Sequence, residues 1–282
     1  MAKSFDTLPS VDQRNSEGLQ GLNPELISTS AYWRVDIRDE VESTQSEFKL
    51  SASSDDNFEG QVIVAEYQSK GRGRLDRSFE SEKYLALTFS FLLKPLRSQE
   101  EWSWLPLLIG SSVVEAINQI LQNGSERSQV LTKWPNDIVT SDGLKMGGIL
   151  VEQQDSYLIA GIGLNVHHRR EQLPVPHAIS LDLFSNRRNK RELILSEILK
   201  KIEERYLLWN SLGMTDVEKN KYQESSLTLG RSVLVQLPGG KQISGVAIGI
   251  DPNGSLLIQT VEKIEKVSAG DVIHAFGNTQ IR

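Results

Sequence analysis

Residues 69–79 read Ser69-Lys70-Gly71-Arg72-Gly73-Arg74-Leu75-Asp76-Arg77-Ser78-Phe79. The chain as a whole carries 31 Lys and Arg against 37 Asp and Glu, a formal charge of −6 over 282 residues, so three closely spaced arginines stand out from an acidic background. Taken alone the stretch is open to three readings: a nucleic-acid arm, a phosphate loop or a solvated turn. Glycines at 71 and 73 let backbone approach a ligand, and arginines offer planar donor forks that match carboxylate or phosphate oxygens. A single-stranded nucleic-acid groove calls for stacking aromatics among the basic residues, and none stands between Lys70 and Ser78. The net charge gives no long-range attraction for nucleic acid either.

The flanks place the stretch on a strand exit. Gln61 to Glu66 is a short run rich in β-branched residues that leads straight into it, and Tyr84 to Leu93 after it reads as a buried strand ended by Lys94-Pro95. A helix is expected from Pro106 to Leu121, with Asn123-Gly124 as its stop, then strands at Val130 to Trp134, Ile138 to Thr140, Gly148 to Glu152 and Tyr157 to Ile162. Ser141-Asp142-Gly143 predicts a hairpin turn between the second and third of these. A second helix is expected from Lys190 to Trp209, with Ile194, Ile198, Ile202, Tyr206 and Trp209 on one stripe. Beyond Leu227 the texture becomes short strands punctuated by glycine-containing turns, Pro238-Gly239-Gly240 and Asp251-Pro252-Asn253-Gly254, which predicts a small all-β unit of barrel type. The organisation expected is a tail at 1–31, a main domain at 32–225 and a β domain at 226–282.

Three further constellations follow the arginine stretch. Lys133-Trp134-Pro135-Asn136-Asp137 combines a cation with a rigid turn and suits either a nucleotide shelf or a structural turn. In Leu144 to Glu152 a lysine, Lys145, stands before Gly147 and Gly148 at the mouth of an apolar strand, where it can neutralise charge on a phosphate. Gly161-Ile162-Gly163-Leu164-Asn165 puts two glycines and an amide at a strand end without the spacing of a dinucleotide fingerprint. His167 and His168, with His177, read as an exposed polar loop rather than a zinc site, and Asn186 to Arg191 as solvated charge. The absence of cysteine excludes disulfides and thiolate metal sites. No apolar run approaches the roughly 20 residues of a membrane span, and the first ten residues lack the apolar core of a secretory signal. A cytoplasmic protein is expected, with no membrane partner.

In combination the motifs are more specific than singly. G-R-G-R-x-x-R, K-W-P-N-D, K-x-G-G-I-L-x-E and G-x-G-x-N in this order, with a β unit at the end, resemble the biotin protein ligases from about residue 35 onward. The resemblance implies an α/β (α+β) fold: a mixed sheet flanked by helices, akin to the class II aminoacyl-tRNA synthetase core, followed by an SH3-like β-barrel. It implies ATP with Mg2+, biotin as substrate, activation to biotinyl-5′-adenylate, and transfer to a lysine of a biotin carboxyl carrier domain. A homodimer is compatible with it. Two other activities remain open at this point, a non-catalytic biotin or nucleotide sensor and a lipoate or octanoate ligase.

Carried over by motif, Ser43, Thr44, Gln45 and Gln68 are the expected contacts of the biotin ring. Gly71, Arg72, Gly73 and Arg74 are the loop over biotin and adenylate, with Gly147 and Gly161 also on the biotin side. Lys145 and Arg74 carry the chemistry, and Arg77, Phe79, Lys133, Asn136 and Asn165 join them on the nucleotide side; no resident metal ligand is expected. The chain departs from the family pattern at Gln45, where asparagine is usual, at Asp76, where glycine is usual, and at Phe79, where tryptophan is usual. Asp76 is expected to repel a triphosphate unless turned outward. With only about 30 residues before the core and an acidic balance, no DNA-binding role is expected.

Overall fold

The computed structural model describes residues 19–51, 58–74, 77–121 and 129–274. Two sheets organise them. The larger has seven strands in the order β1-β2-β3-β7-β6-β5-β4: β1 (Arg34–Arg38), β2 (Gln61–Ala65), β3 (Ala86–Leu93), β4 (Val130–Lys133), β5 (Asp137–Thr140), β6 (Lys145–Gln154) and β7 (Tyr157–Asn165). Only β1 and β2 run parallel; the other neighbours are antiparallel, so the sheet is mixed as expected.

Strand alternation sends this sheet's apolar side chains to both faces. Val62, Val64, Leu87, Phe89 and Phe91 join the main core. Ile63, Leu92 and Ile159 face the other way and pack with Phe48 of helix α1 (Thr44–Ser51). Every residue of β3 is therefore buried, which explains its unbroken apolar run in the sequence. The main core is closed by α2 (Leu105–Leu121) and α4 (Arg191–Leu212), which pack against each other. With the 3-10 turn Gln99–Trp104 in front of it, α2 has the length and hydropathy to cross a bilayer, yet most of its apolar window is buried within the protein. Short helices α3 (Leu181–Ser185) and α5 (Asp216–Glu224) complete the set.

The C-terminal sheet is antiparallel, in the order β11-β10-β9-β8-β12, from β8 (Ser232–Gln236), β9 (Gln242–Ile250), β10 (Leu256–Gln259), β11 (Ile264–Val267) and β12 (Asp271–His274). Its core of Val233, Val235, Leu256, Ile258 and Val272 is continuous with Trp104, Leu107, Trp134 and Tyr222 from the larger unit. Trp104 Nε1 donates to the Pro252 carbonyl at 2.7 Å, and the Trp134 backbone N–H donates to Thr228 Oγ1 at 3.1 Å. The tryptophan of K-W-P-N-D is thus a rivet between the two sheets, and it fixes the turn that follows it beside the smaller one.

Within the expected N-terminal tail, residues 19–30 are docked on the main unit: Leu22 is buried, its N–H is bound by the Glu66 carboxylate, and the Ser28 N–H donates to Ser196 Oγ at 2.9 Å. Two expectations are corrected. Asn186 to Arg191 is not a run of solvated charge. Arg191 is buried, donating to Glu66 at 2.6 Å and to the Gln20 carbonyl at 3.0 Å, while Arg187 bonds the Ile120 carbonyl at 2.6 Å. An unpaired charge at that depth would be costly, so one buried carboxylate draws both segments inward. His167 and His168 are buried rather than exposed, and His167 Nδ1 lies 2.8 Å from Asp182. Positions 123–124 and 76 lie outside the described residues.

Candidate active site

A cavity of about 380 Å3 opens between the larger sheet, the arginine-glycine loop, the Trp134-Pro135 turn and the C-terminal sheet. That volume lies in the range typical of small-molecule sites, roughly 300 to 1,000 Å3.

One end is a buried polar floor. Ser43, Thr44 and Gln45, at the start of α1, are each less than 5% exposed. The Thr44 N–H donates to Gln68 Oε1 at 2.8 Å, and Thr44 Oγ1 lies 2.7 Å from Ser90 Oγ of β3 and 3.1 Å from Gln68 Oε1. Gln45 Nε2 donates to the Ile159 carbonyl at 3.0 Å, and its Oε1 accepts from Ser90 Oγ at 3.1 Å. Gly161 of β7 makes room for this amide: a Cβ there would fall 2.6 Å from Gln45 Oε1. A buried hydrogen-bonding floor selects a polar ligand group, because an apolar one would leave its donors and acceptors unmatched.

Residues 71–74 and 77–79 hold each other through backbone bonds. The Phe79 N–H donates to the Gly71 carbonyl at 2.9 Å and the Gly73 N–H to the Arg77 carbonyl at 2.7 Å. A Cβ at Gly71 would lie 2.1 Å from the Phe79 carbonyl oxygen, which explains glycine there. Each arginine has a separate anchor. Arg72 forks onto Glu152 of β6 at 3.2 and 3.3 Å, Arg74 Nη1 donates to Asn136 Oδ1 at 2.9 Å, and Arg77 pairs with Asp271 of β12. Burial pushes Glu152 up, but Lys49 at 2.7 Å and Arg72 outweigh it and hold the carboxyl below its usual range. Phe79 lies over Gly163 of β7, where a Cβ would fall 2.8 to 2.9 Å from three ring atoms.

The other end is cationic. Arg74, Arg77, Lys133 and Lys145 gather there around two carboxylates, Asp137 and Asp271, while Arg72 lines the cavity on the side of Glu152 and α1. Lys145 Nζ lies 2.6 Å from Asp137 Oδ1. Burial lowers both Lys133 and Arg74, with Asp137 opposing the shift at each. Partly shielded cations of this kind act strongly on an anion, since little solvent screens them. Among the described residues no group of three or more His, Asp or Glu is placed to hold a metal.

Most of the residues expected from sequence meet here: Ser43, Thr44, Gln45, Gln68, Arg72, Gly73, Arg74, Arg77, Phe79, Lys133, Asn136, Lys145 and Gly161 all line the cavity. Gly71, Gly147 and Asn165 do not. Gly71 packs on the loop's own backbone. Gly147 faces β7, where a Cβ would lie 2.4 Å from the Gly163 carbonyl oxygen, and strand alternation gives the cavity position to Gly148. Asn165 is buried, with its amide 3.4 Å from the Ile179 carbonyl. Sequence reasoning missed Ser90, His177, Gln236 and Asp271 as lining residues, and named Asp137 only within the turn at 133–137. Ser90 did carry a signal, as a hydroxyl inside an apolar strand; Asp271 carried none, because it arrives from the second sheet.

Residues 39–168 match the biotin/lipoate A/B protein ligase family, and residues 228–275 match the biotin protein ligase C terminal domain. The chain is similar to the biotin–[acetyl-CoA-carboxylase] ligase of Mycobacterium tuberculosis, 31% identical over 268 residues that span 94% of this chain and 96% of the relative. It is 32% identical over 222 residues to the bifunctional ligase/repressor BirA of Bacillus spizizenii, spanning 76% of this chain and 66% of that protein. The fold matches the solved biotin protein ligase from Aquifex aeolicus in complex with biotin and ATP, with a TM-score of 0.71 and 32% identity over 85% of this chain and 97% of that one. The matched motifs, the two-sheet architecture and the near full-length likeness together show that the chain belongs to the biotin protein ligase family.

Proposed function

We propose that the protein is an ATP-dependent biotin protein ligase in which the polar floor holds the biotin ring and the cationic end holds the phosphates of ATP. The observation that carries this reading is one cavity that combines buried neutral hydrogen-bonding groups at one end with four cations, Arg74, Arg77, Lys133 and Lys145, around Asp137 and Asp271 at the other. A ligand with a polar ring, an apolar middle and a carboxylate fits that gradient, and its carboxylate would meet the triphosphate at Lys145.

The first half-reaction joins a biotin carboxylate oxygen to the α-phosphorus of ATP and releases pyrophosphate. The second joins a lysine amine of the carrier domain to the activated carbonyl and releases AMP, with the amine proton passing to solvent. Neither step needs a nucleophile from the protein; both need two anions held close together and charge on phosphorus offset. Lys145 and Arg74 serve this role, with Lys133 and Arg77 on the outer phosphates and Phe79 as the apolar face for adenine. Magnesium enters with ATP as part of that substrate, while the cavity carboxylates Asp137 and Asp271 are held by Lys145 and Arg77.

A lipoyl or octanoyl chain fits less well, since its apolar end would leave the cavity-facing Thr44 hydroxyl without a ligand partner. A non-catalytic sensor has no need of Lys145. The acceptor in this reading is the carrier domain of a biotin-dependent carboxylase, and duplex DNA is not a partner, which rests on the net charge of −6. Pyrophosphate release from Mg-ATP that requires biotin, and that lipoate and octanoate do not elicit, tests the reading; release with lipoate alone would replace it.

A further inference from the structure

Four groups at the polar floor share too few protons to bond at random. Gln45 Nε2 donates to the Ile159 carbonyl, so its Oε1 faces Ser90 and accepts from Ser90 Oγ at 3.1 Å. Gln68 Oε1 accepts the Thr44 N–H at 2.8 Å, which fixes that amide as well. Thr44 Oγ1 and Ser90 Oγ lie 2.7 Å apart, and each hydroxyl has a single proton.

Only one assignment leaves no acceptor or donor stranded. If Ser90 donated to Thr44, the Gln45 Oε1 would lose its partner in a site where Gln45 and Ser90 are both buried. If Ser90 donated to Gln45 and Thr44 to Gln68, two oxygens would face each other at 2.7 Å with no proton between them. The remaining arrangement runs Thr44 to Ser90 to Gln45, with Gln68 Oε1 already satisfied by the Thr44 N–H. Buried polar groups are nearly always paired, which selects this arrangement.

From this geometry we infer that Ser90 and Gln45 are positioning residues that set the sense of the Thr44 hydroxyl. With its proton committed to Ser90, Thr44 Oγ1 presents lone pairs to the cavity and reads an N–H on the ligand. A ring N–H is accepted there; a ring oxygen at the same place meets lone pair against lone pair. The inference rests on the ligase reading above and assigns it a discrimination that Ser90 and Gln45 exert through the Thr44 hydroxyl.

The test uses the full chain, Mg-ATP and three substrates: biotin and the two analogues in which one or the other ring N–H is replaced by oxygen. The parent is expected to prefer biotin over one of the analogues by at least about tenfold in kcat/KM for pyrophosphate release, as expected for loss of one buried hydrogen bond. Ser90→Ala frees the Thr44 proton to turn, and Gln45→Met, which keeps the shape and removes the acceptor, frees the Ser90 proton to turn back onto Thr44. Both are expected to shrink that preference to within about threefold while leaving the preference against the other analogue unchanged. Ser90→Thr, which keeps the hydroxyl, is expected to restore it. Variants that retain the parent's preference, or that weaken all three substrates equally, would overturn the inference and leave the ligase reading standing. A parent chain inactive with biotin would overturn both.

Discussion

Arg77 of the arginine-glycine loop and Asp271 of β12 form an ion pair between residues 194 positions apart, and both line the cavity. The pair ties the loop to the C-terminal sheet. That sheet therefore completes the site, and the loop has an anchor on each of its neighbours: Glu152 for Arg72, Asn136 for Arg74 and Asp271 for Arg77. Both partners are partly exposed, so the pair is worth at most about 1 kcal/mol. Asp271→Ala is expected to raise the KM for ATP by about three- to fivefold with the KM for biotin unchanged. Arg77→Ala should do at least as much, and the double variant should raise the KM by less than the product of the two single effects. Initial-rate kinetics on the four proteins check this, and full additivity would mean the two residues act apart.

In the proposed mechanism Lys145 is the residue on which the chemistry depends most. Its Nζ is held by Asp137 at 2.6 Å, beside the cluster of Lys133 and Arg74. Lys145→Ala is expected to depress adenylate formation by about 10²- to 10³-fold, the usual cost of removing one preorganised electrostatic contact. The ion pair is partly exposed, so stability should change by less than about 1 kcal/mol. Single-turnover adenylate formation and a denaturation curve on the same preparation separate the two effects.

Phe79 stands where a tryptophan is usual in the family pattern, and its ring fills the space over Gly163. Gly163→Ala would put a methyl group 2.8 to 2.9 Å from that ring and push it aside. A rise of about three- to tenfold in the KM for ATP is expected, the scale of one lost aromatic contact. Phe79→Ala should match it, whereas Phe79→Trp should not weaken ATP. Titration of ATP against each variant at saturating biotin is the measurement.

The architecture was largely legible in the sequence where period and punctuation agreed. The all-buried run of β3, the Asp142-Gly143 turn and the apolar stripe of α4 each yielded an element close to its observed bounds. Elements with a mixed pattern were not read: β1 is exposed or half-buried along its length, and α1 and α5 are short and polar. Site residues on motifs were found because a motif is local. Ser90 and Asp271 were not, since the first is one polar residue in an apolar strand and the second reaches the cavity only through the packing of Trp104 and Trp134 against the C-terminal sheet. The same limit explains the errors at Arg191 and the histidines. Arg191 and His167 are paired with Glu66 and Asp182, which lie 125 and 15 positions away.

His168 links the fold to pH. Burial, with His167 beside it, pushes its pKa down to about 4 from an ordinary 6.5, and its Nδ1 has no partner. A ring whose folded pKa is depressed contributes its full stability above pH 6.5 and loses it progressively as pH falls toward 4. At pH 5 the loss from this residue alone is about 2 kcal/mol. His168→Gln is expected to flatten the decline in unfolding free energy between pH 7 and pH 5 by that amount, which denaturant melts at the two pH values would show.

The central claim is that one cavity activates biotin with ATP and hands it to a carrier lysine. Its most direct test is intact-mass analysis of a biotin carboxyl carrier domain incubated with the purified protein, biotin and Mg-ATP. The account predicts the addition of a single biotinyl group, absent when biotin or ATP is omitted and lost when the carrier's acceptor lysine is replaced. An unmodified carrier, in the presence of protein that is folded and binds biotin, would contradict it.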